Sequence, residues 1–229
     1  MKVFLSIVSN GTRIYNIFNQ LKVNAQSAGS VLQFCKSTFK CNTVDDLFYI
    51  KPYIYGEIEF WKLDKISGGL SEKDVKRLAD PLVNYLNNQV FAVGSSSNAN
   101  SNLILDVAHF HNGQLHGTEE DITKIKEEVE ELRQGIQLNI ADKPEKVNHY
   151  VRTFILQNLY RIDLLLNNYD KIRPHYSALN AYSLYPITQP YPDLTEQVRK
   201  LVNNIVDFVN KYPAAVITTM EFAKLNIPQ

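Results

Sequence analysis

The chain has 229 residues, 45% of them hydrophobic, and its 24 basic and 24 acidic side chains give a formal net charge of zero. This length and apolar fraction suffice for a substantial core, in one large domain or two small ones. A neutral chain lacks the basic footprint of a protein that neutralises phosphates, so the composition gives no strong nucleic-acid signal.

No apolar run approaches the ~18 residues of a membrane span, and the apolar start is too short for a signal peptide. The two cysteines, Cys35 and Cys41, lack the pairing of a disulfide framework. We therefore expect a soluble cytoplasmic protein with reduced thiols and no membrane partner.

Alternating apolar and polar residues in the first half predict a small mixed or antiparallel sheet. Ile54 and Ile58, for example, alternate with tyrosines and glutamates directly after Pro52. The pattern predicts strands at residues 2–8, 53–62, 89–93 and 103–116.

Short helices are expected beside this sheet. Apolar residues recur at helical spacing after Thr12, a residue suited to an N-cap. Ser71 with Asp74 approximates a capping box, which predicts a helix that Pro81 either restarts or kinks. The segment 24–41 fits another helix but does not require one.

The pattern changes after Gly117, where three amphipathic helices are predicted, at about 118–135, 145–172 and 194–212. The first has a strongly acidic outer face, and Gly135 is expected to end it. The sequence therefore predicts an α+β fold, with the sheet and short helices in the first half and a bundle of about three helices in the second. We expect a mixed region at 1–117 and a helical region at 118–229, or one continuous domain.

Three of the five histidines fall in a segment that predicts a β-hairpin. Asn112 and Gly113 favour the positive φ that a type I′ turn requires. Because side chains alternate along strands, His109, His111 and His116 would then share one face. Three imidazoles can bind Zn²⁺ or another divalent metal and leave one coordination position open. These histidines are the predicted metal site, and the alternative is a solvent-facing hairpin that is merely rich in histidine.

The stretch 173–192, between the last two predicted helices, contains four prolines and four tyrosines. Connections this long are uncommon, and its aromatic content argues against disorder. We expect it either to wrap the protein's own helices or to dock a partner, because tyrosine offers a large contact area with a polar tip. The predicted partner-binding residues are Tyr176, Tyr182, Tyr185 and Tyr191.

A further acidic cluster invites comparison with magnesium-dependent nucleases, whose sites place Glu-x-Lys on a strand after an upstream acid. Here Glu57, Glu59 and Lys62 follow Asp45 and Asp46. Two residues separate Glu59 from Lys62, which would place the lysine on the opposite strand face. We expect a solvated strand edge instead.

Common catalytic motifs are missing from the sequence: it contains no Gly-x-Ser-x-Gly, Gly-x-Gly-x-x-Gly, P-loop or His-Glu-x-x-His. Together with the tyrosine-rich stretch and the acidic helix, this favours a non-enzymatic protein-interaction or assembly protein, a subunit of a larger complex. Its partner would be another protein or further copies of itself. The alternative is a metal-dependent protein, for example a hydrolase that activates water at the three histidines.

Overall fold

The computed structural model describes residues 10–25, 31–92, 119–142 and 147–211, and 84% of these are helical. No strand occurs in these ranges, so the prediction of an α+β fold with a sheet is wrong. The predicted strands at 2–8 and 103–116 lie outside the described residues. A helix occupies 53–62, and the end of a π-helical turn occupies the start of 89–93.

The described residues fall into two compact units. The first contains residues 10–25, 31–92 and, from much later in the chain, residues 170–172. Its elements are four helices and a π-helical turn: α1 (Asn10–Ala25), α2 (Val31–Phe39), α3 (Val44–Ser67), α4 (Glu72–Tyr85) and the turn Leu86–Val90.

Helix α3 replaces the predicted strand at 53–62, and its start explains why. Thr43 accepts a hydrogen bond from the Asp46 backbone N–H at 3.2 Å, and the Asp46 carboxylate accepts one from the Thr43 N–H at 2.8 Å. This reciprocal capping box satisfies donors that an uncapped helix leaves unpaired. Within the helix, Ile54, Ile58 and Trp61 recur at spacings of four and three, and all are at most 1% exposed. Ile54 and Ile58 also share one face of a strand and fit both periods, whereas Trp61 fits only the helical one.

The predicted helix after Ser71 is confirmed as α4. The Ser71 side chain accepts a hydrogen bond from the Asp74 N–H at 3.2 Å, and α4 continues through Pro81. The prediction of a strand at 89–93 is wrong for its described residues, which begin in the π-helical turn. Val90 and Phe91 are 3% and 5% exposed. A short buried apolar run does not by itself distinguish a strand from a helical turn.

The second unit contains residues 119–142, 147–169 and 173–211. The three predicted helices are confirmed there, with different ends, and two short helices lie between the last two. The elements are α5 (Glu119–Asp142), α6 (His149–Leu166), α7 (His175–Tyr182), α8 (Tyr185–Thr188) and α9 (Pro192–Lys211). Ile125, Ile162 and Val198, each at most 2% exposed, belong to the shared core of this unit.

Two helix ends differ from prediction for local reasons. Helix α5 passes through Gly135, where an added Cβ would meet only the Gln197 side chain at 3.5 Å. Helix α6 ends at Leu166, where two asparagines follow, and the Asn168 side-chain amide donates to the Leu164 carbonyl at 2.8 Å. Asparagine side chains compete with the helix backbone for such acceptors, which favours turns. The predicted domain boundary near Gly117 lies outside the described residues and stays a prediction.

Candidate interaction surface

The predicted metal ligands His109, His111 and His116 lie outside the described residues, so the metal site stays a prediction. Within the ranges that the structure covers, no group of three or more His, Cys, Asp or Glu side chains is arranged to hold a metal ion.

The four predicted partner-binding tyrosines lie in a segment that forms α7, α8 and the turns beside them. Tyr182, Tyr185 and Tyr191 are partly buried against the core of the second unit. The Tyr185 hydroxyl accepts a hydrogen bond from Arg199 Nε at 2.9 Å. Tyr176 stacks beside His175, with ring centroids 4.2 Å apart. Much of the surface of these rings is therefore in contact with their own unit. Their binding to a partner stays a prediction.

Some of the glutamates of the acidic helix α5 also contact side chains of their own unit. Glu128 is 8% exposed, accepts a hydrogen bond from Asn204 of α9, and lies 3.7 Å from Lys200 Nζ. Glu131 lies 3.9 Å from the same ammonium. Part of the acidic face of α5 thus pairs with α9.

The acidic cluster with Lys62 does not form a metal site. Glu57 is fully buried on α3, whereas Glu59 is exposed and pairs with Lys62 at 2.7 Å within the same helix. Asp46 is engaged in the capping box. On a helix, residues 57 and 59 point about 160° apart, so the carboxylates do not converge.

The two cysteines are free and buried. Burial raises the pKa of the Cys35 thiol well above its usual range, and it raises that of Cys41 to about 12. A thiol in such a site is a poor nucleophile, because the thiolate is the reactive form. The expectation of ordinary thiols agrees with this geometry.

Lys171 forms a buried charge cluster in the first unit. It is 2% exposed, and its ammonium lies 2.9 Å from Asp170 Oδ1. Burial lowers the Lys171 pKa, and Asp170 opposes that shift. Asp170 in turn accepts hydrogen bonds from two α1 side chains, Asn16 to its carbonyl and Gln20 to its carboxylate. These contacts hold residues 170–172 against α1. Because the buried ammonium and the carboxylate are paired with each other, we assign the cluster a structural role.

The feature that sequence reasoning missed is an exposed apolar face on α3. Of the seven large hydrophobic side chains exposed in the described part of the chain, four lie on α3 or directly after it. Leu63 is 61% exposed, and Phe48, Leu70 and Ile66 are 45%, 43% and 40% exposed. The other three are scattered over α1, α6 and α7. We call these four residues, together with the exposed Pro52, the outer apolar face of α3: Phe48, Pro52, Leu63, Ile66 and Leu70.

The outer apolar face lies opposite the buried face of the same helix. At 100° per residue, Phe48, Pro52, Leu63 and Ile66 fall within about 60° of one another. The residues of the opposite face are all at most 1% exposed: Leu47, Ile50, Ile54, Ile58 and Trp61. A helix that is apolar on both sides is usually buried on both sides, yet here only one side is covered.

A turn with a left-handed residue extends this face beyond the end of α3. Gly69 has φ 97°, and the Leu70 N–H donates to the Lys65 carbonyl at 3.0 Å, while the Gly69 N–H donates to Ile66. These two bonds define a Schellman motif. The motif folds the chain back at the helix end and leaves Leu70 43% exposed there.

The spacing of these residues could have been found in the sequence. Intervals of three, four and eleven residues keep side chains on one helix face. The prediction of a strand at 53–62 hides this signal, because it removes the helix that places Phe48 and Pro52 on the same face as Leu63 and Ile66.

None of the helices that the structure describes is both long and apolar enough to cross a membrane. Comparison of the chain with protein-family models, with curated proteins and with solved structures finds no match in any of the three.

Proposed function

We propose that this chain is a non-enzymatic protein-interaction or assembly protein that acts as a subunit of a larger complex. The outer apolar face of α3 carries this proposal. Contiguous exposed apolar side chains on a soluble protein mark interaction sites, whereas single scattered ones need no explanation. Two such groups lie along one side of α3: Phe48 with Pro52 near its start, and Leu63 with Ile66 and Leu70 at its end.

The burial of this face would supply part of the free energy that recognition requires. Burying a whole large aliphatic or aromatic side chain is worth about 1.5–3 kcal/mol. Roughly half of each of these side chains is already buried, so covering each one contributes about 1 kcal/mol. A partner that covers Phe48, Leu63 and Ile66 together gains most of this energy, less the cost of association.

The partner is a protein, and the setting we infer is the cytoplasm. A neutral chain offers no charge excess for binding phosphate backbones. Free cysteines such as Cys35 and Cys41 are usual in a reducing compartment.

Site-specific photo-crosslinking tests the proposal. A photoreactive amino acid replaces Leu63 in the full chain, and irradiation in the cells that make the protein is followed by mass spectrometry of the adducts. Lys73, exposed on α4, is the matched control position. We expect a discrete protein adduct, with another protein or with a second copy, at position 63 only. Equal, diffuse labelling at both positions, or none, would overturn the proposal.

A further inference from the structure

We draw no further inference here: the strongest candidate, the outer apolar face of α3 that ends in the exposed side chains of Leu63, Ile66 and Leu70, belongs to the surface already described, and nothing in the structure shows what covers it.

Discussion

At the scale of single residues, burial governs the ionisation of the first unit. The thiols of Cys35 and Cys41 have raised pKa values, mainly because burial disfavours the thiolate, and each neighbouring negative group adds to the effect. Burial likewise raises the pKa of the Tyr85 phenol. These groups fold as neutral side chains, so their ionisation opposes folding.

We expect the free energy of unfolding to fall at alkaline pH because of these thiols. Below pH 9.0, the ordinary value for cysteine, the thiols are protonated whether the chain is folded or unfolded. Above it, only the unfolded thiols ionise until the pH reaches the folded value, about 12 for Cys41. In this range each thiol lowers the free energy of unfolding by up to about 1.4 kcal/mol per pH unit. Urea unfolding between pH 8 and 10.5 measures this slope.

The double variant Cys35→Ala/Cys41→Ala isolates the thiol contribution. Lys171 acts in the opposite direction, because its lowered pKa makes folding more favourable as pH rises toward 10.5. Lys171 is present in both proteins, and burial rather than Cys35 is the main cause of the raised Tyr85 pKa, so the difference in slope belongs mainly to the thiols. Identical slopes in the two proteins would contradict the assignment.

At the scale of elements, the ends of the helices explain their lengths. Helix α2 stops at Phe39 because Lys40 has φ 54°, and the Cys41 N–H turns back to the Lys36 carbonyl at 3.2 Å. This is the long bond of a Schellman motif, the same closure that Gly69 provides after α3. A lysine in the left-handed region carries a steric cost that glycine does not.

Lys40→Gly is therefore expected to stabilise the protein by about 0.5–1 kcal/mol, the relief of strain less the extra entropy of glycine in the unfolded chain. Lys40 also lies near the buried ammonium of Lys171 and lowers its pKa. Lys40→Gln removes that charge while keeping a side chain at positive φ, so it is the matched control. Urea denaturation should place the glycine variant above the glutamine variant. The reverse order would show that the left-handed turn carries no strain.

At the scale of the whole molecule, the first unit recruits residues from far along the chain. Asn16 donates to the Asp170 carbonyl at 2.9 Å, and Gln20 donates to its carboxylate at 3.2 Å, across 154 and 150 positions of sequence. Lys171 sits beside them with its ammonium almost fully removed from solvent. A buried ammonium is tolerated because the carboxylate remains paired with it.

Asp170→Asn should destabilise the protein by about 3 kcal/mol, since the buried Lys171 ammonium loses its counter-charge. The amide keeps the volume and an acceptor for Gln20, so the loss reports on charge. Adding Lys171→Met should recover most of the stability, because no charge then remains buried. The check is a double-variant cycle by urea denaturation. A double variant as unstable as Asp170→Asn alone would show that packing, not charge, holds this segment.

The sequence alone determined the helices whose apolar residues follow only the helical period, or whose start is marked by a local cap. The single apolar stripes of the helices after Gly117, and the Ser71–Asp74 cap of α4, predicted helices that the structure contains. Helix α3 was not predictable in this way, because apolar residues on both of its sides fit a strand as well as a helix. The metal-site prediction at His109, His111 and His116 lies beyond what the described residues test.

Tertiary structure decided what is buried, and burial depends on contacts between distant residues. Only packing shows that Ile54 and Trp61 face inward while Leu63 and Ile66 on the same helix remain exposed. Only packing brings residues 170–172 to α1. The outer apolar face of α3 and the Lys171 cluster are therefore properties of the folded chain, since local pattern states which residues are apolar or charged but not which of them the fold leaves uncovered.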